Sequence, residues 1–382
     1  MIYKDNCSLV SMKYFFILGR NPDLSRVEVF SYLESCGVSF KEEVFGGNFL
    51  VLDLESDFDL DIQELGGVLK FGRVIFFGAE GELGGFLDKN EVIAQDKFSY
   101  AIFGNSDFED ILREKFKAEK KRAMLRRGRR VIRFQADEVG NLPKADFYLF
   151  IYLDKGKVYF GLVESEFDDS GVRKRDMGKP HRREELAISP RLAKILINLA
   201  GVGKGGRLLD CFCGVGGVLQ EALIRNINVV GVDNDKEAVK QAGGNLDWLK
   251  KNFSFEADYN LIVGNSGKVS AGQVGEFDGV AGEAALGEVL RRKLGKKEAG
   301  EFIRKFEKFI VPVLKNLKIL KQGDEKIAMT FPVINSVHVD ISGISERAGL
   351  RVLSEIGGVG VKFPILESRS DQFVSRDFVV FY

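Results

Sequence analysis

The pattern of apolar and polar positions divides the chain into three blocks. In residues 1 to about 80, apolar runs of strand length at 14–18 and 48–54 flank a segment of helix length at 25–35, so a small α+β domain is expected. Ser25 followed by Glu28 has the spacing of a capping box, which would start that helix at Ser25. In residues 81–170, apolar runs at 147–153 and 157–162 are separated by Asp154-Lys155-Gly156, which reads as a hairpin. In residues 171–382, apolar strands at 207–210, 228–232, 261–263, 275–281 and 326–331 alternate with helical segments. That alternation predicts a doubly wound α/β sheet. No internal repeat or long linker interrupts the blocks.

The most specific local pattern lies in the third block. Leu208-Leu209-Asp210-Cys211-Phe212-Cys213-Gly214-Val215-Gly216-Gly217 reads as a buried strand ending at Asp210, then a glycine turn, with a helix opening over 218–224. Such a turn lets backbone approach a ligand without interference from Cβ atoms. The next strand ends at Asp233, about 20 residues on, where a carboxylate can accept hydrogen bonds from both hydroxyls of a ribose. An adenosyl ligand is therefore expected on this turn, with a bare α/β turn as the alternative; dinucleotide folds share the spacing. The strand 261–263 would deliver Gly264-Asn265-Ser266 to the edge of the same site. There the Asn265 carbonyl can accept from an adenine amine, or Asn265 is an ordinary turn residue.

Composition adds bounds. An apolar content of 45% supplies sizeable cores, and no apolar run reaches membrane-spanning length. The start, Met1-Ile2-Tyr3-Lys4-Asp5, lacks an apolar signal core, so a cytoplasmic setting is expected. Cys7, Cys36, Cys211 and Cys213, with only His181 and His338, form neither a disulfide framework nor a metal site. Cys211 and Cys213 are expected to pack.

Net charge is zero, yet between Arg113 and Arg133 eleven Lys or Arg face only Glu114 and Glu119. Ile111, Leu112, Phe116 and Leu125 suggest a helix through this segment, broken at Gly128 before a strand at 131–134. Lys121, Arg122, Arg126, Arg127, Arg129 and Arg130 are the candidates for phosphate contact, against the alternative of a solvated helix face.

The residues from Asp210 to Ala222, Asp-Cys-Phe-Cys-Gly-Val-Gly-Gly-Val-Leu-Gln-Glu-Ala, resemble the first motif of S-adenosylmethionine-dependent RNA methyltransferases, DPFCGSGTxLxEA, with Cys211 in place of proline. The stretches 175–183 and 189–200 look like the entry segment of tRNA guanosine-N2 methyltransferases that carry an RNA-binding THUMP domain. Residues 16–25 and 65–70 are similar to the opening domain of the same proteins, so the resemblance spans nearly the whole chain. It implies a ferredoxin-like domain over 1–80, a THUMP-like domain over 81–170 and a Rossmann-like methyltransferase domain over 171–382. It also implies S-adenosyl-L-methionine as cofactor, held by Asp210, Phe212, Gly214, Gly216, Asp233, Asn265 and Ser266. The implied partner is tRNA, with an accessory protein subunit as a further expectation and no membrane.

Two departures bear on activity. Related enzymes usually carry Asp where this chain has Asn265. At the catalytic strand, relatives have DPPY or EPYLG where this chain reads Glu283-Ala284-Ala285-Leu286-Gly287. In the family the acid and a backbone carbonyl hold the exocyclic amine of guanine while the aromatic stacks on the base, so Glu283 is the expected catalytic residue. Loss of the stacking face costs about 1–3 kcal/mol per base. The expectation is an N2-methylguanosine-forming tRNA methyltransferase, with a catalytically inactive RNA-binding protein or accessory subunit as the alternative. Phe331 is a candidate replacement ring, with core packing as its alternative role.

Overall fold

The computed structural model describes residues 12–127, 143–183, 188–284, 292–369 and 372–382. They fall into two compact units, one holding the described residues of 12–22, 38–62 and 68–167, the other those of 23–37, 63–67 and 168–382.

The first unit holds β1 (Met12–Leu18), β2 (Phe40–Gly46), β3 (Phe49–Leu54), β4 (Val68–Ala79), β5 (Lys97–Gly104), β6 (Arg122–Leu125), β7 (Phe147–Asp154) and β8 (Lys157–Glu166). They make one eight-stranded sheet in the order β2-β3-β1-β4-β8-β7-β5-β6. Aromatic residues fill its two cores: Phe15 stacks on Phe150, and Phe98 meets Phe116 and Phe147 edge to face. The hairpin expected near 154–156 forms between β7 and β8, with Lys155 and Gly156 both at positive φ, the geometry whose twist matches the flanking strands. Strands on both sides of residue 80 share this sheet, since β4 pairs with β1 and with β8, so the division expected there is no break in the sheet.

The second unit takes in α1 (Pro22–Ser35) from the start of the chain. This helix begins three residues earlier than the capping-box reading expects, because Pro22 at its first position presets a helical φ. Glu28 is consequently inside the helix, where its buried carboxylate accepts from the amides of Gly66 and Gly67 at 2.6 and 2.7 Å and from Asn198 Nδ2 at 2.8 Å. A Cβ on Gly67 would lie 2.8 Å from Glu28 Oε2, which explains the glycine.

The second unit's large sheet is built from β9 (Arg207–Asp210), β10 (Asn228–Asp233), β11 (Tyr259–Val263), β12 (Gly279–Glu283), β13 (Lys326–Ile334), β16 (Ile365–Glu367) and β17 (Val374–Phe381), with β14 (Glu355–Ile356) and β15 (Val359–Gly360) forming a separate ribbon. The order β11-β10-β9-β12-β13-β17-β16 is parallel from β11 to β13 and antiparallel at β17 and β16. Chain order reverses beside β9, so the carboxyl ends of β9, β10 and β12 form the crevice where such sheets bind ligands. β9 and β12 pair only over Leu208–Gly279 and Leu209–Val280, then part to open it. Helices α5 (Pro190–Leu199), α6 (Gly217–Ile224), α7 (Lys236–Asn252) and α9 (Lys296–Leu320) bury apolar stripes in this unit, with α4 (Asp169–Gly178), α8 (Ala271–Val274) and α10 (Ile341–Ala348).

Two element expectations need correction. The helix expected through Leu125 is α3 (Glu109–Ala118), which follows α2 (Leu83–Lys89) and ends before Lys120 at φ 60°; Leu125 lies in β6. The expected strand at 275–281 begins at Gly279, because Gly275, at φ 70°, terminates α8. The strand expected at 131–134 lies outside the described residues.

Candidate functional site

The crevice is a cavity of about 330 Å³, in the size range of small-molecule sites. Asp210, Phe212, Gly214, Asp233, Asn265, Ser266 and Glu283 all line it. Gly216 sits behind it as the N-cap of α6 at φ 87°, a conformation that favours glycine. Gly214 is also left-handed, at φ 50°, and a Cβ there would meet nothing within 4 Å. Conformation rather than crowding selects glycine at that position.

Asp233 ties the glycine turn to the end of β10. Its Oδ2 accepts from the Gly214 amide and its Oδ1 from the Asp235 amide, both at 2.9 Å. Each oxygen retains further acceptor capacity. Asn265 Oδ1 accepts from the Gly267 amide at 2.9 Å, and the Ser266 hydroxyl donates to the Cys211 carbonyl, so both side chains brace their loops as they line the cavity. Cys211 and Cys213 are buried, and burial pushes both thiols above their ordinary range.

Asp210 is the electrostatic centre. It is fully buried, and its Oδ1 accepts from the Phe212 amide at 3.0 Å. Burial, reinforced by the charges of Asp233 and Glu283 and opposed by that amide, raises its carboxyl to about 8. Gly282 makes room for it: a Cβ there would stand 2.6 Å from Asp210 Oδ1.

Glu283, at the end of β12, is nearly buried, with its side chain 9% exposed, and burial raises its carboxyl. The Arg376 guanidinium opposes that rise: its Nε donates to Glu283 Oε1, which also accepts from Thr330 Oγ1 at 3.4 Å. Ala284 is buried in the core, and Ala285, Leu286 and Gly287 lie outside the described residues. Phe331 does not supply a replacement ring, because it is wholly buried against Phe306 and Phe381 at centroid distances of 5.6 and 6.0 Å.

The basic segment is less open than its linear charge suggests. Lys121 is corrected as a phosphate-binding candidate: its side chain is 4% exposed, with Nζ 2.7 Å from Glu91 Oε1 and donating to the Ile93 carbonyl. Arg127 is exposed but donates from Nε to Glu109 at 3.0 Å. Arg122 and Arg126 are exposed, and Arg129 and Arg130 lie outside the described residues.

Three features of the site escaped the sequence reading. Arg376 was legible only as a charge in the apolar closing strand, a placement that signals a buried partner. Phe309 on α9 is 43% exposed and stands 5.6 Å from the Phe212 ring in the cavity wall; its position off the buried stripe of the helix was the available signal. Lys179 and Arg183 also line the cavity, paired with Asp176 and Asp235 at 2.9 Å.

Residues 193–280 match the family described as conserved hypothetical protein 95. The chain is similar to the tRNA (guanine(10)-N2)-dimethyltransferase of Methanothermobacter thermautotrophicus, 42% identical over 74 residues, covering 19% of this chain and 22% of the relative. It is also similar to the enzyme of that name from Pyrococcus abyssi, 28% identical over 153 residues, 38% and 43% of the two chains, and to that from Methanocaldococcus jannaschii, 30% over 135 residues, 35% of each. The matches thus span less than half the length of these relatives. Among solved structures, TrmN from Thermus thermophilus aligns with a TM-score of 0.52 at 13% identity over 97% of this chain and 99% of that one. The mixed α/β fold with its large parallel sheet is the one expected from the sequence. The resemblance to tRNA guanosine-N2 methyltransferases recurs in these relatives.

Proposed function

We propose that this chain is an S-adenosylmethionine-dependent methyltransferase of the tRNA guanosine-N2 family, forming N2-methylguanosine in tRNA in the cytoplasm. The observation that carries this reading is the convergence of three carboxylates, Asp210, Asp233 and Glu283, on a cavity floored by a glycine turn. A buried carboxyl raised to about 8, without a cationic partner among the described residues, favours a cationic ligand. When bound, S-adenosylmethionine supplies an electrophilic methyl group on a sulfonium, which leaves as a neutral thioether.

The chain's own residues supply position and charge. Asp233 fixes the turn and offers its free lone pairs to a ribose. Phe212 and Phe309 provide apolar wall for the adenosyl group. Glu283 Oε2, which has no hydrogen-bond partner among the described residues, accepts an N–H from the exocyclic amine of a flipped guanine. With the cofactor bound, Glu283 would hold the amine nitrogen toward the methyl group, and Oε2, already accepting the N–H, would take the proton that the nitrogen gives up on methylation. Arg122 and Arg126 offer phosphate contacts in the first unit, which fits a THUMP-like role.

A second reading, an inactive RNA-binding relative or accessory subunit, is favoured by one observation: Ala284 follows Glu283 where relatives carry proline. The test is transfer of labelled methyl from S-adenosylmethionine to unmodified tRNA, followed by digestion to nucleosides. Label in N2-methylguanosine is expected. Label in another nucleoside, or in none, overturns the assignment.

A further inference from the structure

We propose that Arg376 is a positioning residue for Glu283, holding one carboxylate oxygen so that the other is presented to the substrate amine. This rests on the reading of Glu283 as the amine acceptor. β13 lies between the two residues: Glu283 pairs with Thr330 and Arg376 with Pro332, so the guanidinium reaches across a whole strand to the carboxylate. Two strand spacings are roughly 9.5 Å, a gap that a long arginine side chain and a glutamate together can close. Both partners are nearly buried, with side chains 9% exposed.

Among the described residues, the hydrogen bonds to Glu283 are all on one oxygen. Arg376 Nε and Thr330 Oγ1 both donate to Oε1, and Arg376 is itself oriented by Gln372, whose Oε1 accepts from Nη1 at 3.1 Å. A freely rotating carboxylate would exchange its oxygens; one anchored by a guanidinium and a hydroxyl does not. The anchor replaces the stiffness that a proline after the acid would give, and Ala284 lacks it. It also opposes the rise that burial gives the Glu283 carboxyl, with Asp210 its acidic neighbour on β9. An uncharged Glu283 would have lost acceptor capacity on the oxygen that carries the proton.

The experiment compares wild type, Arg376→Lys, Arg376→Met and Thr330→Val for single-turnover methyl transfer as a function of pH. Alongside it, carbon-13 NMR of labelled glutamate carboxyls follows Glu283, assigned by the signal missing in Glu283→Gln. Arg376→Met should lower the transfer rate by roughly a hundredfold, the cost of misplacing a reacting group by about 1 Å. Its Glu283 carboxyl should titrate at higher pH than in wild type, and the rate should recover as pH rises. Arg376→Lys, which keeps the charge and guards against a folding defect, should restore much of the titration but not the full rate. An unchanged Glu283 titration in folded Arg376→Met, or a loss of rate with no change in pH profile, overturns the proposal. If wild type itself transfers no methyl group, the proposed function fails, while the carboxyl titration still decides whether Arg376 holds Glu283.

Discussion

Asp210 sets the character of the site because it is a buried acid with only an amide to satisfy it among the described residues. Its carboxyl lies at about 8 in the folded chain against 3.8 when unperturbed, so between these values the folded state holds a proton that the unfolded state has released. Stability from this group is therefore full at low pH and is lost as pH rises toward 8, by up to about 1.4 kcal/mol per pH unit. Asp210→Asn keeps an acceptor for the Phe212 amide without the titration. In thermal melts without ligand, its Tm should fall less than that of wild type between pH 5 and 8; parallel curves would contradict the burial argument. A bound cation favours the charged carboxyl, so S-adenosylmethionine should flatten the wild-type curve.

At the scale of elements, the basic segment separates charge that is spent from charge that is offered. α3, β6 and the residues beside β6 carry its described cations, and acids neutralise several: Glu91 meets Lys121, while Asp110 and Glu109 of α3 meet Arg113 and Arg127. Arg122 and Arg126 remain exposed. Replacing both by alanine should weaken tRNA binding and reduce the salt dependence by about one counterion per residue. Lys121→Ala should instead destabilise the folded state by roughly 1–3 kcal/mol, seen as a lower Tm, and leave the salt slope alone. Equal effects of the two changes on the salt slope would contradict this division. The linear sequence could not separate them, because the acids that hydrogen-bond Lys121 and Arg127, Glu91 and Glu109, stand 30 and 18 residues away.

For the whole molecule, legibility followed sequence distance. The turn from Asp210 to Gly217 and the acid at Asp233 were readable because their spacing is local, and the glycines needed for left-handed backbone stand in the same short run. The parallel pairing of β11, β10, β9, β12 and β13 was expected from the alternation of helices and strands, while their order was not. What escaped was nonlocal: one sheet gathering strands from residues 12 to 166, α1 counted with the second unit, and Arg376 meeting Glu283 across 93 residues. No helix among the described residues is long and apolar enough to cross a membrane. Everything claimed for activity converges on Glu283, so the most direct measurement is methyl transfer to unmodified tRNA by wild type and Glu283→Ala side by side. Both proteins should still bind S-adenosylmethionine through Asp210 and Asp233, and incorporation should fall by at least roughly a hundredfold in the variant. Incorporation that is equal in the two proteins would contradict the role assigned to Glu283.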